Sequence, residues 1–150
     1  MNGEILLLSG PNLDELGSRD PAVYGTTTLG EHVARFRARA EAAGYQVLDL
    51  QSNFEGDLIE AVHAARGSCV GIVINAGALT HSSWSLADAL ANFGGVKVEV
   101  HLSNPAAREP FRHVSTLAGV VSGSIAGFGP VSYDLALDAL CHLLEGSAPT

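Results

Sequence analysis

A chain of 150 residues with sixteen acidic against eight basic residues carries a net charge of −8, which repels nucleic acid and anionic membranes over long range. Its 47% hydrophobic and 16% charged residues are the composition of one globular domain, residues 1–150, and no apolar run approaches the roughly 20 residues of a membrane span. Cys69 and Cys141 have neither metal-ligand nor redox spacing and read as buried thiols, and with no leader pattern after Met1 the expected location is the cytoplasm.

The first predicted strand is Glu4 to Leu8, and it ends in Ser9-Gly10-Pro11-Asn12. From Gly10 to Thr27 there is no periodicity, which in a compact domain points to a functional lid; it holds Asn12, Arg19 and Tyr24. Thr28-Leu29-Gly30-Glu31 has capping-box spacing, with Leu29, Val33, Phe36, Ala40 and Ala43 at helical intervals before Gly44. A strand from Tyr45 to Leu50 runs into Gln51-Ser52-Asn53. Ser52-x-x-Glu55 repeats the capping box for a helix carrying Leu58, Ile59, Val62 and Ala65, stopped by Gly67.

Val70 to Ile74 is the third strand, followed by Asn75-Ala76-Gly77 and a helix from Ser83 to Phe93 that Gly94-Gly95 closes. The fourth strand, Lys97 to Val100, leads into His101-Leu102-Ser103-Asn104. Gly119 to Ile125 is the expected fifth strand, Ser132 to Glu145 the last helix, and Gly146 to Thr150 a frayed tail. Apolar strands alternating with helices predict right-handed crossovers and a parallel α/β sheet. In such sheets ligands bind beyond the carboxyl ends of the strands, so the polar clusters repeated there read as one shared site.

Within that site, Tyr24 lies five residues from Arg19. A tyrosine becomes a useful base only where a close cation stabilises the phenolate, and Arg19 could supply it; the alternative is a tyrosine packing the loop onto the sheet. Glu99 and His101, two apart on a strand, share a face while Val98, Val100 and Leu102 take the other. A carboxylate beside an imidazole favours a proton donor, although a satisfied buried histidine has the same spacing. Asn75, His81 and the backbone before Ser82-Ser83 suit an oxygen-rich or anionic ligand. Arg108 and Arg112 could each clamp a carboxylate, or each pair with Glu109 at the surface. His32, His63, His113 and His142 lack two-ligand spacing, so no metal site is expected, and no phosphate loop supports a nucleotide cofactor.

Taken in order, Gly10-Pro11-Asn12-Leu13, Gly17-Ser18-Arg19-Asp20-Pro21, Tyr24-Gly25, Gln51-Ser52-Asn53-x-Glu55-Gly56, Ile74-Asn75-Ala76-Gly77-x-x-Thr80-His81-Ser82-Ser83, Glu99-Val100-His101-Leu102-Ser103-Asn104 and Ala107-Arg108-Glu109-x-Phe111-Arg112-His113 resemble the type II 3-dehydroquinate dehydratase family. The resemblance covers essentially the whole chain. It implies a flavodoxin-like fold, a five-stranded parallel sheet with helices on both faces. It also implies cofactor-free dehydration of 3-dehydroquinate in the shikimate pathway or in quinate catabolism, and a homododecamer built as a tetramer of trimers.

Carried over by position, Tyr24 resembles the family's base, Arg19 the lid arginine beside it, His101 the acid and Glu99 the group that orients it. Asn12 corresponds to the residue that stabilises the enolate through a water. Asn75, His81, Leu102, Ser103 and Arg112 correspond to the substrate-binding set, and Asp88 to a residue reaching a neighbouring subunit's site. Phe54, Asp14-Glu15, Leu79, Pro105 and Pro110 depart from the family pattern without removing a catalytic type. The only lysine, Lys97, sits at the amino end of a strand, which disfavours the Schiff-base chemistry of the other dehydroquinase class. The rival readings are a non-catalytic flavodoxin-like module and a dehydratase acting on an amino analogue of dehydroquinate.

Overall fold

In the computed structural model, residues 2–146 are described. Five parallel strands, β1 (Glu4–Ser9), β2 (Gln46–Gln51), β3 (Cys69–Asn75), β4 (Val96–His101) and β5 (Gly123–Ala126), form one sheet in the order β2-β1-β3-β4-β5. That is the flavodoxin-like order, in which the chain reverses direction of travel at β1 and β3 and opens a crevice between them.

The period-two alternation of β1 divides the interior in two. Ile5 and Leu7 join Phe36, Ala40, Val98, Val100, Leu137 and Leu140 in one core, and Leu6 and Leu8 join Leu58, Val62, Ile72, Ile74, Leu86 and Leu90 in the other. Helices α2 (Leu29–Ala42) and α5 (Val131–Gly146) therefore cover one face of the sheet. Helices α3 (Glu55–Ala65) and α4 (Trp84–Ala91) cover the opposite one. A strand buried on both faces needs a continuous apolar run, and Ile5-Leu6-Leu7-Leu8 supplies it.

The long connection after β1 is not structureless. Leu13–Glu15 makes a 3-10 turn, α1 (Pro21–Tyr24) a single helical turn, and Leu13 and Leu16 anchor the segment by burying themselves in the first core. Asn12 and Asp20 have φ of 69° and 31°, the only non-glycine residues with positive φ among those described.

Thr28 caps α2 as its spacing predicts: its Oγ1 accepts from the Glu31 N–H at 3.2 Å and donates to the Glu31 carboxylate at 3.0 Å. Ser52 does not do the same for α3, and the expectation is corrected. Its hydroxyl donates to Asp57 Oδ2 at 2.6 Å and accepts from Phe54 N–H at 3.0 Å, so the helix begins only at Glu55. Glu55 instead bonds Ser83, whose hydroxyl also caps α4. The fifth strand is likewise shorter than its apolar run suggests. Residues 119–122 turn, with Val120 and Val121 N–H both donating to Leu117 C=O and their side chains packing on the second core. Of the tail, Gly146 closes α5 and residues 147–150 lie outside the described residues.

At the start of α5, the Asp134 side chain is 9% exposed and takes three bonds from Arg35, the shortest 2.7 Å. The Arg35 bond holds this carboxyl below its usual value despite the cost of burial. A depressed carboxyl contributes stability that is complete above the unfolded value near about 4 and is lost as pH falls through the folded one. Asp134→Asn is expected to lower the thermal midpoint by about 2–4 °C at pH 7. As pH falls through the folded value the gap should close in the same scan, because wild-type Asp134 is then protonated too.

Candidate active site

The loops leaving β1 and β3 are pressed together at the crevice. Gly10 N–H donates to Asn75 C=O at 2.8 Å, and a Cβ on Gly10 would lie 2.4 Å from the Ala76 carbonyl oxygen. Gly77, at φ 59°, would bring one within 2.9 Å of Pro11 O. Only glycine allows that approach, and Gly77 lines the floor of a cavity that opens to solvent.

Eight of the eleven residues named from sequence line this cavity: Arg19, Tyr24, Asn75, His81, His101, Leu102, Ser103 and Arg112. Glu99 stands directly behind His101, its Oε2 2.7 Å from the ring Nε2, and is 3% exposed. Both come from β4, where period-two alternation sends Val98, Val100 and Leu102 to the other face. Asn12 and Asp88 are not among the lining residues. Asn12 is exposed beside the floor, with its backbone N–H on Asn53 Oδ1 at 2.9 Å. Asp88 is exposed on α4, in a stripe with Ser85 and Asn92 on the side away from buried Leu86 and Leu90.

Tyr24 does not merely pack the lid. Its hydroxyl oxygen accepts from Arg19 at 3.0 Å and from Arg108 at 2.8 Å, and the Arg19 guanidinium also lies over the ring, 4.2 Å from its centroid. Two guanidiniums thus converge on one phenol oxygen from different segments of the chain. Sequence reasoning weighed Arg108 as a carboxylate clamp or a surface partner of Glu109 and missed its bond to Tyr24. Arg108 reaches Tyr24 across 84 positions of chain and also donates to Ser103 Oγ at 3.2 Å. Arg112 keeps the Glu109 pairing weighed for it, at 3.2 Å, while its side chain faces the cavity.

The remaining groups are held from behind. His81 Nδ1 donates to Val114 C=O at 2.8 Å, and its ring stacks 6.5 Å from that of His101. Asn75 donates from Nδ2 to Tyr133 at 3.2 Å and accepts at Oδ1 from Gly77 N–H at 3.3 Å, so its amide cannot turn over without losing both bonds. Burial pushes the Tyr133 phenol up to about 12, which keeps it neutral beneath the site. The cavity thus offers a cation-flanked phenol, an imidazole with a carboxylate partner, and amide, hydroxyl and guanidinium donors suited to a polyhydroxylated anion.

Residues 3–141 match the family described as dehydroquinase class II. The chain belongs to that family. A curated relative from Synechococcus sp. (strain CC9902), named 3-dehydroquinate dehydratase, is 52% identical over 94% of this chain and 97% of its own. Another of the same name from Ruegeria pomeroyi is 55% identical, over 93% and 94%. Among solved structures, a type II dehydroquinase from Propionibacterium acnes superposes with a TM-score of 0.89 at 40% identity, covering 95% of this chain and 98% of that one.

For a class II dehydroquinase, the position of Lys97 matters. Its ammonium donates to the carbonyls of Leu90 and Phe93 at 2.9 and 2.8 Å, at the amino end of β4 and so at the opposite edge of the sheet from the cavity. Burial lowers its affinity for the proton, but its nitrogen is turned away from any substrate in the crevice. Among the described residues no three His, Cys, Asp or Glu side chains are grouped to hold a metal ion. No helix among them is long and apolar enough to cross a membrane.

Proposed function

We propose that this class II dehydroquinase eliminates water from 3-dehydroquinate to give 3-dehydroshikimate, by acid–base chemistry through an enolate. The observation that carries the reading is the Tyr24 hydroxyl held between Arg19 and Arg108 in the cavity that also presents the His101–Glu99 couple. Tyr24, as phenolate, takes a proton from the carbon next to the ketone, and the electron pair moves onto the ketone oxygen. The enolate then collapses, the bond to the hydroxyl beta to the ketone breaks, and His101 protonates that oxygen so that it leaves as water. Removing the proton creates negative charge on the ketone oxygen, and Asn12, at the carboxyl end of β1, is assigned to stabilise it through a water. Asn75, His81, Ser103 and the Leu102 backbone take the ring hydroxyls and carboxylate, with Arg112 as their cation.

The reaction belongs to the shikimate pathway or to quinate catabolism, and the cytoplasm is its proposed location. The same reading makes the assembly a tetramer of trimers in which Asp88 crosses to a neighbouring subunit's cavity. The exposed Ser85, Asp88 and Asn92 stripe of α4 supports this, because a carboxylate there is free to meet an arginine of another copy. Asp88→Ala is expected to raise KM several-fold in protein that remains folded and assembled. A fully active monomer in sedimentation and dilution assays would overturn the shared site.

Purified protein mixed with 3-dehydroquinate and a chelator, with nothing else added, tests the function. Growth of the ultraviolet absorbance of a conjugated enone carboxylate is the expected result. Protein that forms no product, or that stops when the chelator is added, contradicts it.

A further inference from the structure

The acid couple does not end at Glu99. Its second carboxylate oxygen, Oε1, lies 2.8 Å from Ser115 Oγ, in the turn that follows the 3-10 segment Pro110–His113. Ser115 Oγ also accepts the N–H groups of Leu117 at 3.1 Å and Ala118 at 3.0 Å. A hydroxyl has two lone pairs and one proton. With both lone pairs committed to backbone donors, the Ser115 proton has one direction left, toward Glu99. The carboxylate therefore meets a donor at each oxygen, Ser115 at one and His101 at the other.

The neighbours of Ser115 are fixed as firmly. Thr116 N–H donates to Thr80 C=O at 2.8 Å, and its hydroxyl lies 3.1 Å from the carbonyls of Thr80 and Ser83. Val114 C=O holds His81 at 2.8 Å. Three consecutive residues thus tie the back of the cavity to both of its imidazoles, one directly and one through Glu99. The terminal torsion of a glutamate is broad and roughly two-fold, so a carboxylate held at one oxygen can still pivot and carry its partner with it. A second bond at the other oxygen removes that freedom.

We propose that Ser115 is a positioning residue for the dehydration: it locks the rotation of the Glu99 carboxylate, and thereby the aim of the His101 proton at the departing hydroxyl. This rests on the function proposed above and deepens it. Displacing a reacting group by about 1 Å can cost on the order of 10²-fold in rate, whereas substrate affinity is carried by other residues. The effect should therefore fall on kcat and spare KM.

The test compares Ser115→Thr with Ser115→Val, which differ only in the hydroxyl. A second cavity behind His101, bordered by Ser115 and Ser124, gives the added methyl groups room. The Thr variant is expected to keep most of the wild-type kcat, and the Val variant to lose about ten-fold with KM within about two-fold. In a His101→Ala background the Thr and Val forms should turn over at the same rate, because the residue acts through the imidazole. Equal kcat for the two variants with His101 present would overturn the assignment, as would an undiminished ten-fold gap with His101 absent. Thermal midpoints of both variants, measured alongside, separate a general loss of structure from the kcat effect. Wild-type protein in the same assay keeps the two levels apart: no turnover there refutes the dehydratase reading itself, while an active wild type with matched variants refutes only the role of Ser115.

Discussion

Tyr24→Phe should lower kcat by about 10²-fold or more, since a positioned general base contributes roughly 10² to 10⁴. The substitution removes one oxygen, and that oxygen is the atom on which Arg19 and Arg108 converge at 3.0 and 2.8 Å. The loss should appear in kcat, because a phenyl ring keeps the cation-stacked position while losing the only basic atom. Arg19→Ala and Arg108→Ala should each reproduce much of the effect, because each removes one of the two donors that hold the base in place. Unchanged kcat in both variants would show that the guanidiniums do not serve the phenol. Arg108 carries the sharper test, since its second bond to Ser103 ties the base to the substrate-binding segment after β4.

His101→Ala should also lower kcat by about 10²-fold or more, for the opposite half of the reaction. Without a donor the hydroxyl must depart as hydroxide, so the loss should grow as pH rises and hydronium becomes scarce. Glu99→Gln should cost less, because an amide oxygen preserves the bond that orients the ring. Steady-state rates across a pH series for the three proteins would check this ordering. A Glu99→Gln enzyme slower than His101→Ala would mean that the carboxylate, and not the imidazole, moves the proton.

The two halves of that mechanism were legible in the sequence to different degrees, for physical reasons. Glu99 and His101 could be placed together because side-chain period two is a property of one strand, and no distant contact is needed to know that they share a face. Thr28 could be named as a cap because its partner, Glu31, is three residues away. The same spacing failed at Ser52, where the Phe54 N–H takes the hydroxyl oxygen, and no periodicity records which donor wins. The apolar run from Gly119 reads as strand because Val120 and Val121 are apolar, yet their partial burial is achieved by a turn that folds onto the second core. Arg108 was hardest, since its partner lies 84 positions earlier in a non-periodic lid. Its motif marked it as an arginine near the site, but a choice between carboxylate clamp, surface pair and phenolate partner needs the fold. Ser115 gave no signal at all: one hydroxyl in a run of small and apolar residues becomes meaningful only when Glu99 is seen beside it.

The central claim is that base and acid are separate groups acting in sequence on either side of an enolate. Deuterium exchange measures it most directly: 3-dehydroquinate recovered from heavy water after incubation with wild type, Tyr24→Phe or His101→Ala is analysed by mass spectrometry for label at the carbon next to the ketone. The account predicts that His101→Ala, which keeps its base but cannot expel the hydroxyl, incorporates deuterium faster than it forms product, whereas Tyr24→Phe does neither. Exchange that falls in step with elimination in His101→Ala, or that persists in Tyr24→Phe, would contradict it.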